Sequence, residues 1–188
     1  MKLLFIDACL RGEKSRTKRI CEKVIDDIKA QFSEIAVETV DLKSLDIKPL
    51  YEEDLIKRDA LIEKGDLSAF SLAKQFADAD IIVVGAPYWD LSFPAVLKVY
   101  IENIAVNTIA FCYTEHGQEG LCKAKKAYYV TTGGGYMKGA EFGYQYIKGV
   151  FSLFGIEDLS YIGAEGLDIW GNDVEKIIEE TIKGITVR

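Results

Sequence analysis

The segment DIIVVGA, residues 80–86, is the most apolar strand-like stretch of the chain. Four β-branched residues follow one another at positions 81–84, and no polar side chain interrupts them. A strand with one face in water alternates apolar and polar residues, whereas this one does not. Such a run is typical of a strand buried on both faces, so the segment predicts the interior of a parallel sheet.

Strand and helix patterns alternate on both sides of this segment. Further strands are predicted over residues 2–8, 35–42, 126–132 and 157–163. Apolar stripes at helical spacing predict helices over residues 17–32, 68–79, 94–104, 139–154 and 172–184. The alternation indicates a single α/β domain spanning residues 1–188, a doubly wound five-stranded parallel sheet with helices on both faces.

Two segments, residues 49–66 and 106–125, do not fit this alternation. The first is rich in charge, and the second contains Phe111, Tyr113 and the only histidine, His116. Long connections in compact domains are usually functional or face a partner. We therefore interpret both segments as excursions at the surface.

Composition excludes several functional classes. The net charge of −7 argues against nucleic acid as a partner. No apolar run has the length of a membrane span, and the first one stops at Asp7, too early for a signal peptide. The four cysteines form no Cys-x-x-Cys pair, which argues against a zinc site and predicts reduced thiols in a cytoplasmic protein.

The loop after the first predicted strand, residues 8–17, carries an unusual concentration of positive charge. Five basic residues and only one acid lie between positions 11 and 19. Cations at a helix N-terminus oppose the helix dipole, and a bound anion would remove the conflict. The hydroxyls of Ser15 and Thr17 would then join the free N–H groups in binding a phosphate. The alternative is a solvated first turn with Ser15 as an ordinary N-cap.

Two further loops follow the third and fourth predicted strands. Residues 86–93 place Tyr88 and Trp89 side by side, and residues 131–137 contain three consecutive glycines. The aromatic pair either caps the core or stacks on a flat ligand. Glycines let a backbone lie against a planar ring or adopt positive φ, although a flexible turn also explains them. Because ligands of doubly wound folds bind beyond the carboxyl ends of the strands, the three loops together indicate a phosphate and a flat ring, which is FMN.

Several motifs resemble those of one enzyme family. They are APYWDL at residues 86–91, LK at 97–98, FCYTEHG at 111–117, TTGGG at 131–135, FGI at 154–156 and AEG at 164–166. On these residues the chain resembles the FMN-dependent NADH-azoreductases, within the wider NAD(P)H:quinone oxidoreductase group of flavodoxin-like enzymes. The similarity extends over nearly the whole chain.

The resemblance implies a set of site residues and an assembly. It places Ser15, Arg16 and Thr17 at the phosphate, with Cys9 where the family usually has a hydroxyl. One side of the isoalloxazine would be lined by Tyr88, Trp89, Asp90 and Leu91, and its pyrimidine end would be contacted by Thr132, Gly133, Gly134 and Gly135. Family members are homodimers with each flavin at the subunit interface, which would use the two excursions, and Tyr113 is the candidate on the substrate side. Asp90 replaces an asparagine of the family.

The predicted function is an FMN-dependent oxidoreductase. Hydride passes from NADH or NADPH to the flavin, and two electrons pass on to a quinone, azo or nitroaromatic acceptor. Two alternatives stay open: a flavodoxin-like electron carrier, and a redox-responsive flavoprotein that acts through protein partners. The residues do not distinguish NADH from NADPH.

Overall fold

The computed structural model describes residues 1–187, and its main sheet confirms the predicted fold class. The strands are β1 (Lys2–Asp7), β2 (Ala36–Asp41), β3 (Ile81–Gly85), β4 (Phe111–Thr114), β5 (Gly117–Gly120), β6 (Lys126–Thr132) and β7 (Asp158–Ala164). Five of them form a parallel sheet in the order β2-β1-β3-β6-β7. Strand β3 lies at its centre and all five of its residues are buried, as its unbroken apolar run predicts.

Helices cover both faces of this sheet. They are α1 (Arg16–Gln31), α2 (Glu52–Glu63), α3 (Ser71–Asp78), α4 (Ala95–Ile104), α5 (Phe142–Leu153) and α6 (Val174–Lys183). Ile81 and Val83 of β3 pack with α1 and α6, while Ile82 and Val84 pack with α3, α4 and α5. Alternate side chains of a strand point to opposite faces, so this one strand contributes to two cores. None of the helices described within residues 1–187 combines the length and apolar character needed to cross a bilayer.

The two excursions contain structure that the sequence pattern does not reveal. Residues 49–66 include helix α2, which has no buried residue, and residues 106–125 include the antiparallel hairpin of β4 and β5. The hairpin packs on the end of α5, where Phe111 stacks on Phe154 with ring centroids 6.2 Å apart. Helix α5 ends at Leu153 with Phe154 as its C-cap, and Gly155 follows in the C′ position with a φ of +85°, as the sequence predicts.

The strand order brings the candidate loops together. From β1 the chain passes to β2 on one side, then crosses to β3 on the other side of β1. Strands β1, β3 and β6 are therefore neighbours, and their carboxyl ends lie at the same edge. This reversal of strand order is the position where doubly wound folds bind ligands.

Candidate functional site

One cavity, of about 230 Å³, joins all three predicted loops. Its walls are formed by Leu10, Arg11, Lys14, Ser15, Arg16, Thr17, Pro87, Tyr88, Trp89, Thr132, Gly134 and Asp168. Most of these positions come from the loops after β1, β3 and β6. The sequence prediction that these loops share one site is therefore consistent with the geometry.

The N-terminus of α1 presents donors to this cavity. Ser15 is the N-cap, and its Oγ accepts a hydrogen bond from the backbone N–H of Lys18 at 3.3 Å. The backbone N–H groups of Arg16 and Thr17 donate to no atom within residues 1–187. Free N–H groups at the positive end of a helix dipole are a ready site for an anion. Arg11 and Lys14, which form no ion pair within those residues, add positive charge to the wall.

Arg16 lies in the wall, but its guanidinium already has partners. Nη1 donates to the carbonyl oxygen of Leu167 at 3.0 Å, and Nη2 pairs with Oδ1 of Asp168 at 2.9 Å. Asp168 belongs to the loop after β7 and is not among the site residues predicted from the sequence. The available signal was its position just beyond the AEG motif, at the carboxyl end of the last strand.

A pair of hydroxyls connects the first and third loops. Oγ1 of Thr17 and Oγ1 of Thr132 lie 2.7 Å apart, and both side chains are buried. Buried hydroxyls need partners, and here each supplies the other's. This contact fixes the start of α1 against the end of β6.

The aromatic loop is held by its backbone. The N–H of Tyr88 donates to the carbonyl of Thr132 at 3.0 Å, and the Tyr88 hydroxyl donates to the carbonyl of Ala140 at 3.1 Å. Trp89 is 40% exposed and lines the cavity, so part of its side chain is available for contact with a ligand.

Asp90 and Leu91 form the tip of a two-residue turn instead of the cavity wall. Trp89 and Ser92 exchange backbone hydrogen bonds of 3.0 and 2.8 Å across it. The φ angles are +49° at Asp90 and +70° at Leu91, the pattern of a type I′ turn. Leucine rarely adopts positive φ, so this turn stores strain. Both side chains are exposed, and neither lines the cavity.

Among the three consecutive glycines, Gly134 lines the cavity and its neighbours do not. None of the three has the positive φ that glycine allows, so the role that remains is close approach, which applies to Gly133 and Gly134. A Cβ at Gly134 would lie 2.3 Å from Oδ2 of Asp168, and one at Gly133 would lie 2.9 Å from the terminal carbon of Met137. Gly135 faces open space.

Two other predicted residues lie apart from this cavity. Cys9 is buried beneath the first loop, where its backbone N–H donates to Oδ1 of Asp7 at 2.8 Å and its thiol faces the Gly85 carbonyl at 3.6 Å. Tyr113 is 70% exposed on the β4–β5 hairpin, with its ring packed edge-on against Phe111. Within one chain, neither side chain reaches the cavity wall.

The arrangement has two chemically different ends. Free N–H groups, hydroxyls and three cations, Arg11, Lys14 and Arg16, suit a phosphate at the start of α1. Tyr88, Trp89 and the Gly134 backbone suit a planar ring at the other end.

Known proteins share this sequence and architecture. The sequence model of a family described as having a flavodoxin-like fold matches residues 1–187. The FMN-dependent NADH:quinone oxidoreductase 2 of Clostridium acetobutylicum is 41% identical, and the similarity covers 97% of this chain and 94% of that protein. An azoreductase structure from Bacillus anthracis str. Sterne is 25% identical with a TM-score of 0.83, covering 97% of this chain and 95% of the other. An FMN-dependent NADH-azoreductase from Bacillus anthracis str. Ames Ancestor, solved in complex with FMN, shares the fold at 20% identity and a TM-score of 0.82, with 97% and 95% covered.

Proposed function

Because this chain belongs to the family with the flavodoxin-like fold, we propose that it is an FMN-dependent oxidoreductase. It oxidises NADH or NADPH and delivers two electrons to a quinone, azo or nitroaromatic acceptor. The observation that carries the proposal is the single cavity that joins the N-terminus of α1 to Tyr88, Trp89 and Gly134. Relatives that share nearly the whole chain are FMN-dependent NADH:quinone oxidoreductases.

The donor set fits FMN. Its phosphate would be held by the N–H groups of Arg16 and Thr17, the Ser15 hydroxyl and the nearby cations. The ring would lie by Tyr88, Trp89 and the glycine loop, where an aromatic face and a side-chain-free backbone are available. When bound, FMN supplies hydride acceptance and two-electron transfer.

The protein's own contribution is binding and orientation. Asp168 is the one carboxylate on the cavity wall formed by the described residues, and it is paired with Arg16. The wall also holds Lys14 and Tyr88, but Lys14 lies at the phosphate end and the Tyr88 hydroxyl donates to the Ala140 carbonyl, so we assign no residue to proton transfer. Asp90, Leu91, Gly133, Gly135 and Cys9 are proposed to support the walls from behind or beside them.

The cofactor and the turnover can be tested together. The purified protein should show a flavin absorbance spectrum, mass spectrometry should identify the released cofactor as FMN, and anaerobic NADH should bleach the spectrum. Benzoquinone should then support steady oxidation of NADH. Recovery of FAD, or failure to bind any flavin after reconstitution, would refute the proposal. Flavin reduction without turnover would instead favour an electron carrier.

We propose that the working form is a homodimer in the cytoplasm. Large apolar side chains at the surface, Tyr113 at 70%, Leu91 at 52% and Trp170 at 99% exposure, are available for a subunit contact. The described cysteines are free thiols, as is usual in a reducing compartment. In such a dimer the exposed Tyr113 hairpin would contribute to the substrate side of a flavin pocket.

Light scattering should therefore give about twice the chain mass of 21.0 kDa. Dilution to a concentration where the dimer dissociates should release FMN, because the flavin pocket needs both chains. A monomer that retains FMN and full activity would show that one chain is sufficient.

Asp90→Asn should raise the two-electron potential of bound FMN by only a small amount, about 10 mV or less. A carboxylate near the flavin disfavours the negative charge of the reduced form, so its removal favours reduction. Asp90 is exposed at the tip of its turn, and water and salt screen such a charge to a few tenths of a kcal/mol. Asparagine also tolerates positive φ, so the turn should persist.

Spectroelectrochemical titration of the two proteins measures this shift. A lower potential in the variant would contradict the electrostatic argument. A rise of 30 mV or more, equivalent to about 1.4 kcal/mol for two electrons, would mean that the carboxylate is far less screened than its exposure indicates.

A further inference from the structure

Asp168 places a negative charge in a wall whose other charged side chains are cations. Arg11, Lys14 and Arg16 line the same cavity, and Asp168 is the single acid among the described lining residues. Its side chain is 65% exposed, whereas that of Arg16 is 30% exposed. The negative charge of an acid at this position opposes the binding of a phosphate in the same cavity.

Three contacts place the carboxylate there. The backbone N–H of Asp168 donates to the Gly134 carbonyl at 2.8 Å. Oδ1 accepts from Arg16 at 2.9 Å, and the adjoining Leu167 carbonyl accepts from the same guanidinium at 3.0 Å. Any side chain at Gly134 would collide with Oδ2. The loop after β7, the glycine loop and α1 therefore converge on this carboxylate.

This geometry has an electrostatic consequence for a phosphate. Two of the five Arg16 donor hydrogens are engaged by the loop after β7. A phosphate at the start of α1 must share Arg16 with Asp168, and it lies in the same cavity as a like charge.

We propose that Asp168 is a positioning residue that sets the affinity for FMN. It holds Arg16 in the cavity wall, and at the same time its negative charge weakens the binding of the phosphate. This inference rests on the proposed function, because it takes FMN as the ligand of the cavity. The site then discriminates between phosphorylated and unphosphorylated flavin less strongly than its cations alone would allow.

Asp168→Asn separates the two effects. The amide oxygen still accepts from Arg16, so the guanidinium keeps its place, but the negative charge is gone. We expect FMN to bind about fivefold more tightly at low ionic strength, measured by quenching of flavin fluorescence in titrations of protein freed of flavin. The affinity for riboflavin, which lacks the phosphate, should be unchanged. Raising the salt concentration should shrink the difference for FMN, because the interaction is between partly exposed charges.

Glu175→Gln is the matched control. Glu175 pairs with Arg19, so the same change removes an exposed carboxylate partner of an α1 arginine, outside the cavity. We expect it to alter neither affinity. A merely structural role of Asp168 would change the affinities for FMN and riboflavin equally, and that result would overturn the inference. An Asp168→Asn protein whose FMN affinity is unchanged or weaker would also overturn it. If the unmodified protein binds neither flavin, the proposed function fails as well. If the unmodified protein binds FMN but Asp168→Asn does not raise its FMN affinity, this inference alone fails.

Discussion

Arg16→Glu will weaken FMN binding by about 100-fold or more without unfolding the protein. A hydrogen bond between charged partners contributes about 1.5–3 kcal/mol, and reversing the charge replaces attraction with repulsion at a helix N-terminus. A loss of about 3 kcal/mol corresponds to slightly more than 100-fold in the dissociation constant. The ion pair with Asp168 is partly exposed, so its loss should lower stability by no more than about 1 kcal/mol.

Arg19→Glu is the control for this experiment. Arg19 lies one turn further along α1, where it pairs with Glu175 and does not line the cavity. Reversing it makes the same change in net charge and creates the same kind of carboxylate pair on the surface. Titration of the flavin-free proteins should show a small effect for this variant. Equal weakening by both variants would mean that general charge, and not contact with the phosphate, governs affinity.

Gly120→Ala will be the most destabilising small substitution, with a loss of about 3 kcal/mol or more in the free energy of unfolding. A Cβ at this position would lie 2.0 Å from the backbone nitrogen of Gly155 and 2.1 Å from the carbonyl carbon of Phe154. Backbone atoms cannot rotate away, and Gly155 is itself fixed at positive φ. The β4–β5 hairpin must therefore lift from the end of α5, which separates the stacked rings of Phe111 and Phe154.

Gly149→Ala is the same chemical change, but we expect it to raise the free energy of unfolding. Gly149 lies on the exposed face of α5, and a methyl group added there would have no other atom within 4 Å beyond its own helix backbone. Alanine should stabilise the helix there by about 0.5–1 kcal/mol. Urea denaturation of both variants tests the pair. A Gly120→Ala protein as stable as its parent would show that the hairpin can move without loss of packing.

The sequence predicts the sheet well because the burial of β3 on both faces requires an unbroken apolar run, which is visible in the sequence. Its five residues face two cores, so every one of them must be apolar or small. Helix α2 has no comparable apolar pattern, since it has no buried residue, and charged side chains do not distinguish an exposed helix from a loop. The hairpin is hidden for a similar reason: residues 117–120 are all exposed and include two glycines.

The site is predictable where a loop contributes backbone and small polar groups. Ser15 and Thr17 lie at the start of the helix that follows β1, and Thr132 ends β6, so the fold class alone puts them at one edge. Asp168 follows the carboxyl end of β7 at the same edge, but its contact with Arg16 depends on how three loops meet in space, which the fold class does not give. Asp90 and Leu91 follow the same strand as Tyr88, but a two-residue turn carries them past the cavity.

The contact between Thr17 and Thr132 also limits what the cavity can offer a ligand. Each hydroxyl has one hydrogen, and one of the two hydrogens is consumed in the bond between the oxygens. Only one hydroxyl of the pair can donate outward at a time. If Thr132 donates to the ring end, Thr17 must donate to Thr132 and has no hydrogen left for the phosphate end. The position of one proton between two oxygens 2.7 Å apart thus couples what the two ends of the cavity can donate to a ligand.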